Sequence, residues 1–292
     1  MLPRVWIAPL SERWAYDFTA RALKQHLSDR FEIRIAHQQK EIDAWSAQLY
    51  VELWWGGKFQ QRYGRRAVKQ VSSHRWMQPR YHLQNVRRMA QHHLFGAGAV
   101  VVPSLRLHSL MLSEDIKSLP PVSLCYKGFH PEMMGDYGGR RGPLVVGWAG
   151  NADQTDKNVP MIIKAWPKEL RVADRCLTQG EMGDFYNSID VITCMSDAEG
   201  DPRTLIEGMA CGCFPVTVDV GVVPELVKHG ENGLIIPKTT EALAAALAWC
   251  RDNVDFVRAA GRRNAQEMLR TRTWAAAASS WGDAFDAALR AT

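Results

Sequence analysis

The sequence predicts an α/β protein of two domains, each built on a parallel sheet. Strand-like and helix-like segments alternate along the chain, which is typical of parallel strands joined by helices. The alternation is interrupted at the turn-rich segment 135–143 and then starts again. A length of 292 residues is sufficient for two ordinary domains. We therefore predict an N-terminal domain at residues 1–143 and a C-terminal domain at 144–292.

The N-terminal domain is predicted from short apolar runs and from helical periodicity. Runs of five to seven residues predict strands at Arg4–Pro9, Glu32–Ala36, Ala47–Leu53, Ala67–Ser72, Ala99–Pro103 and Val122–Tyr126. Apolar residues at three- and four-residue spacing predict helices that include Ala15–Leu27 and Tyr81–His93.

The C-terminal domain shows the same two patterns. Strands are predicted at Leu144–Trp148, Arg175–Thr178, Val191–Cys194, Phe214–Thr217 and Leu234–Ile236, and helices at Met161–Glu169, Leu205–Cys211, Glu241–Trp249 and Val254–Thr271. Trp274 and Trp281 lie in an Ala-rich helical segment, and we expect this final helix to pack back on the N-terminal domain. Ligands of such domains bind near the carboxyl ends of the strands.

The composition excludes several classes of protein. With 46% apolar and 23% charged residues, the chain is typical of soluble globular proteins. No apolar run reaches the roughly 20 residues of a membrane-spanning helix, and Met1–Ile7 leads directly into a strand without a secretion signal. We therefore expect a cytoplasmic protein. The six cysteines predict buried thiols, and Cys211-Gly212-Cys213 lacks the second ligand pair of a zinc site. No Asp-x-Asp pair indicates a bound divalent metal, and no other cofactor is predicted.

The charge is distributed unevenly. Residues 1–143 contain 21 Lys and Arg against 11 Asp and Glu, whereas residues 144–292 contain 15 against 20. Between Leu53 and Ser113 there is no acidic residue but there are ten basic ones: Lys58, Arg62, Arg65, Arg66, Lys69, Arg75, Arg80, Arg87, Arg88 and Arg106. A surface that only interacts with water usually mixes both signs, so this stretch indicates a polyanionic partner.

The segment from Glu199 to Thr217 carries the clearest functional pattern. A predicted strand ends near Cys194, Pro202 stands where a first helical turn begins, and Gly212 ends the helix. A helix that starts after a strand presents unpaired backbone N–H groups to an anion such as a phosphate. Glu199 and Glu207 flank this helix start. Because carboxylates accept hydrogen bonds and repel phosphates, they suit the hydroxyls of a ribose or a sugar.

These residues resemble those of a known enzyme family. Two glutamates with seven residues between them, followed by Gly-Met-Ala-Cys-Gly and a strand, resemble the pattern of retaining glycosyltransferases of family 4, which have the GT-B fold. The runs Val146–Asn151 and Val220–Pro237 extend the resemblance. It is fainter in the first half, where Ser72-Ser73-His74 and Val100–Ser104 match. The resemblance implies two Rossmann-like domains with parallel sheets that face each other across a cleft.

The resemblance also implies a role for each matching residue. Glu207 would accept hydrogen bonds from the ribose of a nucleotide-sugar donor, and Glu199 would contact the donor sugar. Lys157 would offset the charge that develops on the diphosphate, and His74 would contact the donor sugar or the acceptor hydroxyl. The family usually has an arginine directly after the glycine, where this chain has Asn151. The donor-binding residues implied are Gly150, Asn151, Lys157, Gly200, Asp201, Pro202, Arg203, Thr204 and Glu207, of which Arg203 would replace the missing cation.

The acceptor is not specified by the sequence. In GT-B enzymes the N-terminal domain generally binds the acceptor, and here Arg65, Arg66, Arg87, Arg88 and Trp76 are the candidate contacts. One acceptor that fits is a cell-envelope glycolipid or polysaccharide precursor, bound at the inner face of an anionic membrane. A second is DNA with a hydroxylated base, whose phosphates the arginines would neutralise. A third possibility is a nucleic-acid-binding protein that keeps the fold without catalysis.

Overall fold

A computed structural model describes residues 1–9, 15–38, 41–42, 46–167, 169–174 and 177–292. The contacts divide the chain into two compact units, Met1–Gly128 with Trp274–Thr292, and Phe129–Thr273. The segment 129–143 therefore belongs to the second unit, whereas the sequence prediction placed it in the first. The physical reason is that Phe129 and Met134 are buried in the core of the second unit, where the Arg140 guanidinium also donates to backbone carbonyl oxygens.

The first unit contains a six-stranded parallel sheet in the order β2-β1-β3-β4-β5-β6. The strands are β1 (Arg4–Ala8), β2 (Glu32–Ile35), β3 (Leu49–Glu52), β4 (Ala67–Gln70), β5 (Ala99–Val102) and β6 (Val122–Leu124). The helices described in this unit include α1 (Ala15–His26), α2 (Phe59–Tyr63), α3 (Val86–His93), α4 (Leu105–Met111) and the final helix α11 (Trp274–Arg290).

The two faces of this sheet have different coverings. Val51 and Val68, which are paired in register, lie in a core cluster with side chains of α1 and α11, including Trp281. The neighbouring residues along each strand point to the opposite face, because side chains alternate in a strand. There Val100 and Val102 pack with side chains of α3 and α4, and Tyr50 packs with side chains of α2. The connections from β3 to β6 thus form one layer.

The second unit contains a five-stranded parallel sheet in the order β11-β10-β9-β7-β8. The strands are β7 (Val146–Gly150), β8 (Arg171–Asp174), β9 (Val191–Cys194), β10 (Phe214–Thr217) and β11 (Leu234–Ile235). The helices are α5 (Val159–Ala165), α6 (Gln179–Asn187), α7 (Arg203–Ala210), α8 (Val223–Leu226), α9 (Thr240–Asp252) and α10 (Val254–Thr271). Two parallel sheets with helical connections confirm the predicted α/β class.

Three predicted elements differ from the structure by four or more residues at one end. The helix predicted at Met161–Glu169 is observed at Val159–Ala165. The helix predicted at Tyr81–His93 begins only at Val86, because His82 and Gln84 have positive φ angles and the Asn85 side chain caps the helix start. The strand predicted at Arg175–Thr178 is found earlier, as β8, while residues 175 and 176 lie outside the described residues. This strand is at the edge of its sheet and its Val172 is exposed. Because few of its side chains are buried, its sequence has little of the apolar pattern that predicts a strand.

Within the described parts of the chain, no helix combines the length and apolarity that crossing a bilayer requires.

Candidate active site

Strand β7 ends with a glycine that the local packing requires. A Cβ atom added at Gly150 would lie 2.9 Å from the indole ring of Trp148. The next residue, Asn151, accepts a hydrogen bond at its Oδ1 from the backbone N–H of Asp153, at 3.0 Å. This bond stabilises the turn that leads to the short 3₁₀ helix Thr155–Lys157. Asn151 thus has a structural role in the turn, at the position where the family resemblance expects an arginine.

Lys157 and Glu199 meet across two neighbouring strands. Lys157 follows β7 and Glu199 follows β9, and these strands are adjacent and parallel in the sheet. The Lys157 ammonium donates a hydrogen bond to Oε1 of Glu199, and both side chains are mostly buried. The carboxyl ends of adjacent parallel strands form the usual ligand-binding edge of such sheets. The structure therefore brings together two of the residues that the sequence singled out.

Asn158 connects the loop after β7 to the loop after β9 by hydrogen bonds. It has a left-handed backbone conformation, with φ of 55°, which asparagine tolerates better than most residues. Its Nδ2 donates to the carbonyl oxygen of Met195 at 2.9 Å and to Oδ1 of Asp197 at 2.7 Å. The backbone N–H of Asp197 in turn donates to the carbonyl oxygen of Asp156, at 2.8 Å. These bonds hold the segment before Glu199 against the segment that carries Lys157.

The loop from Glu199 to Thr204 is closely packed where it enters α7. Gly200, Asp201 and Pro202 are buried, whereas Arg203 and Thr204 are partly exposed. The carbonyl oxygen of Gly200 accepts a hydrogen bond from the backbone N–H of Val222, at 2.8 Å.

Gly221 is a second glycine that the geometry requires. It has φ of 54°, and a Cβ atom there would lie 2.4 Å from the carbonyl oxygen of Gly200. The turn at Gly221 therefore packs directly against the backbone of Gly200. A larger residue at position 221 would displace the loop that contains Gly200.

The carboxylate of Glu207 is held at both oxygens. Arg203, one helical turn earlier on α7, donates from Nε to Oε1, and Tyr186 of α6 donates from its hydroxyl to Oε2 at 3.2 Å. Glu207 is only 4% exposed and Tyr186 is fully buried. Burial, reinforced by the negative charge of Glu207, raises the pKa of Tyr186 well above its usual value, so the phenol remains a hydrogen-bond donor. The two bonds fix the carboxylate while each oxygen keeps a lone pair for a ligand.

Tyr186 and Asn158 were not among the residues that the sequence singled out. Asn158 is adjacent to Lys157, but its contacts with the 195–197 segment are not visible in the sequence. A tyrosine within a short amphipathic helix such as α6 is most often a packing residue, so the pattern alone gave no functional signal.

The candidate residues of the N-terminal half all belong to the first unit. His74 precedes the short 3₁₀ helix Arg75–Met77 and is partly exposed. Trp76 was expected to contact the acceptor, but it is fully buried in the core beside Trp55 and the helices α3 and α4. Its indole is therefore a packing element and does not form a surface for a ligand.

The four candidate arginines are exposed but have different surroundings. Arg65 and Arg66 form part of the 3₁₀ helix Gly64–Arg66, and the Arg66 guanidinium lies over the ring of Tyr50. Arg87 is 3.3 Å from a carboxylate oxygen of Glu114 and also donates to the carbonyl oxygen of Asp115. Arg88 lies beside it on α3.

The described cysteines are buried free thiols. Burial raises the pKa of Cys213 to about 12 and that of Cys211 above its usual value. Thiols of this kind are rarely ionised near neutral pH. Because the thiolate is the form that binds metals, they are poor metal ligands. Among the residues that the structure describes, no group of three His, Cys, Asp or Glu side chains is placed to hold a metal ion.

Comparison with known proteins finds a family match over the region that carries this site. Residues 144–268, all within the second unit, match the family model described as glycosyl transferases group 1. The matching range includes Lys157, Glu199 and Glu207. Two curated relatives match shorter segments. N-acetyl-alpha-D-glucosaminyl L-malate synthase of Bacillus anthracis is 29% identical over 90 residues, which are 29% of this chain and 24% of that protein. D-inositol 3-phosphate glycosyltransferase of Streptomyces bingchenggensis is 33% identical over 60 residues, 20% of this chain and 13% of that protein.

Solved structures match nearly the whole chain. A sucrose-phosphate synthase from Thermosynechococcus elongatus superposes with a TM-score of 0.77 at 12% identity, and the match covers 99% of this chain and 100% of that one. Anabaena HepE in complex with UDP and glucose superposes with a TM-score of 0.72 at 13% identity, covering 96% and 98%. These similarities establish the GT-B fold for the chain, with two Rossmann-like domains.

Proposed function

We propose that this protein is a metal-independent, retaining glycosyltransferase that moves a hexosyl or pentosyl group from a nucleoside diphosphate sugar to an acceptor hydroxyl. One observation carries the proposal. Two cation–carboxylate pairs, Lys157 with Glu199 and Arg203 with Glu207, lie on the segments that follow β7 and β9, the second pair within α7, in the region that matches the group 1 glycosyltransferase model. Anabaena HepE has the same fold, and its structure was solved in complex with UDP and glucose. UDP is therefore the first nucleotide to test.

The cations and the carboxylates of the two pairs contact different parts of the donor. Lys157, Arg203 and the backbone N–H groups at the start of α7 face the diphosphate, whose negative charge grows as the bond to the sugar breaks. Glu207 accepts hydrogen bonds from the ribose hydroxyls, and Glu199 accepts from the hydroxyls of the transferred sugar. Gly150 and Asn151 form the turn that supports the Lys157 segment. His74, from the first unit, contacts the donor sugar or the acceptor.

The proposed acceptor is an anionic cell-envelope glycolipid or polysaccharide precursor, held by the basic first unit in the cytoplasm. The first unit, residues 1–128 with 274–292, contains 20 Lys and Arg against 11 Asp and Glu, which supports an anionic acceptor. The names of the two curated relatives, which refer to L-malate and to an inositol phosphate, are also those of proteins that act on anionic compounds.

Isothermal titration with UDP tests the donor site. Glu207→Ala removes hydrogen bonds to a charged acceptor worth about 1.5–3 kcal/mol each, so UDP affinity should fall roughly tenfold or more. Glu207→Gln keeps the side-chain volume and checks that any loss does not come from misfolding. Glu241→Ala, which changes an exposed glutamate on α9, is the matched control and should bind UDP like the wild type. Unchanged affinity in Glu207→Ala would remove the basis for the assignment.

Product analysis tests the reaction. The purified protein is incubated with UDP-sugars and with either extracted envelope lipids or DNA that contains hydroxymethylated bases, and products are identified by mass. Addition of one sugar to a lipid supports the proposed acceptor, whereas addition to a base supports the DNA alternative. A protein that binds UDP but hydrolyses or transfers no sugar with any acceptor would be a binding protein of this fold.

A further inference from the structure

The stretch without acidic residues, 53–113, forms one side of the first unit. It comprises β4, β5 and their connections, and the segments α2, α3 and α4 all pack on the same face of the sheet. The opposite face is covered by α1 and α11. We call the outer surface of α2, α3, α4 and their adjoining loops the basic layer. The charge asymmetry of the sequence thus becomes an asymmetry between two sides of one domain.

The basic side chains of this layer are mainly at its surface. Arg75 is only partly exposed, and Lys69 is the exception. It is buried and donates to Glu52 and to the carbonyl oxygen of Gly57, and its burial lowers its pKa despite the nearby Glu52 carboxylate. The exposed members are Lys58, Arg62, Arg65, Arg66, Arg80, Arg87, Arg88 and Arg106. Glu114, just outside the stretch, is an acidic side chain in contact with one of them, Arg87. The layer therefore keeps a large positive charge.

The same layer exposes large apolar side chains. Leu105 is 50% exposed and Leu112 is 54% exposed, at the two ends of α4. They are seven residues apart and hence on the same side of the helix, while Leu107 and Met111 are buried beneath. Met77, in the 3₁₀ helix that packs into the same core, is 44% exposed. Leaving such side chains in water is unfavourable, and the two leucines lie on one side of α4, so this helix indicates an apolar partner.

We propose that the basic layer binds the surface of an anionic lipid bilayer. Arginines at the level of the headgroups attract anionic phosphates, and Leu105 and Leu112 enter the boundary of the acyl chains. DNA would use the arginines but would leave the two leucines in water, so the combination of charge with exposed leucines favours a membrane. The binding itself is inferred independently of the proposed function. Only its role, which is to bring the enzyme to a lipid-linked acceptor, rests on that function.

Co-sedimentation with vesicles tests the inference with two kinds of variant. Arg80→Glu/Arg88→Glu reverses two exposed charges of the layer, and Leu105→Ser/Leu112→Ser removes its apolar side chains without touching the core. The matched controls are on α10 of the second unit, where Arg262, Arg263 and Leu269 are also exposed. They are Arg262→Glu/Arg263→Glu and Leu269→Ser. The vesicles contain phosphatidylglycerol and phosphatidylcholine in equal parts, or phosphatidylcholine alone.

We expect the wild type to bind the anionic vesicles strongly and the neutral ones weakly. The charge-reversal variant should lose at least about tenfold in partitioning, since each basic residue near such a surface contributes substantially. The leucine variant should lose about as much but keep its dependence on salt. Both control variants should bind like the wild type. Equal binding by all variants, or an equal loss in the controls, would overturn the proposal.

Two further measurements separate this inference from its alternatives. Binding to a labelled DNA duplex is measured for the same variants, and a protein that binds DNA through the arginines with no effect of the leucine substitutions would have a nucleic-acid surface instead. UDP titration of each variant monitors the donor site. Absence of vesicle binding with intact UDP binding would refute the membrane surface alone, whereas vesicle binding without any nucleotide binding would refute the proposed function alone.

Discussion

Replacing Tyr186 with phenylalanine removes the hydroxyl that orients Glu207 and leaves the ring in place. That hydroxyl donates to Oε2 of Glu207 at 3.2 Å, and both residues are buried. A hydrogen bond to a charged group contributes about 1.5–3 kcal/mol to stability. Since Arg203 still holds the other carboxylate oxygen, the lower value applies, and we expect the free energy of unfolding to fall by about 1.5 kcal/mol.

The same change should weaken nucleotide binding by a smaller factor. The carboxylate remains, but it must be immobilised when the ribose binds, which costs about 0.5–1.5 kcal/mol for one side chain. UDP affinity should therefore fall roughly three- to tenfold, less than in Glu207→Ala. A purely structural tyrosine would lower stability without changing UDP affinity at temperatures where the protein is fully folded.

Urea unfolding and UDP titration of Tyr186→Phe, Glu207→Gln and the double variant measure the coupling between the two residues. A coupling energy of about 1 kcal/mol in both stability and binding is expected. Tyr137→Phe is the matched control, because Tyr137 is exposed in the same unit. Its effect should be within about 0.5 kcal/mol. If Tyr186→Phe has the stability and UDP affinity of the wild type, the hydroxyl does not orient the carboxylate.

Other perturbations test the remaining parts of the proposed site. Lys157→Ala should lower kcat more than it lowers donor affinity, because the negative charge on the diphosphate grows in the transition state; equal losses in initial-rate and titration data would make Lys157 a binding residue only. Asn158→Gly keeps the left-handed backbone but removes the bonds to Met195 and Asp197, so kcat should fall about tenfold at a temperature where the variant is still fully folded. Full activity of that variant would contradict the positioning role. Activity should persist in EDTA, and its complete loss, restored by Mg²⁺, would show a metal-dependent reaction.

The sequence predicted the strands of both sheets well because buried parallel strands are short apolar runs. Ala99–Val102 and Val191–Cys194 are completely buried, and both appear in the sequence as uninterrupted apolar or small-residue segments. The edge strand β8 was misplaced because one side of it faces water. The start of α3 was misplaced because a side-chain cap at Asn85, with positive φ angles before it, decides where that helix begins. Such local geometry leaves little periodic pattern in the sequence.

In the candidate site, too, local sequence patterns were predictable and contacts between distant segments were not. Glu199 and Glu207 are separated by one loop and one helical turn, so a local pattern contains them both. The meeting of Lys157 with Glu199 depends on the adjacency of β7 and β9, which a strand prediction alone does not give. The burial of Trp76 could not be predicted from its neighbours, because its core cluster includes Trp55, earlier in the chain, and side chains of α3 and α4, later in the chain.

The two ion pairs have a consequence for the ligand that the site selects. Each proposed phosphate-binding cation is paired with a proposed hydroxyl-binding carboxylate, Lys157 with Glu199 and Arg203 with Glu207. An anion without hydroxyls would draw the cations away and leave two mostly buried carboxylates without their cationic partners, which is costly in a medium of low polarity. A nucleotide sugar compensates both sides at once, because its diphosphate attracts the cations while its ribose and sugar hydroxyls donate to the carboxylates. The pairs therefore favour the complete donor over inorganic diphosphate by more than the added hydrogen bonds alone would.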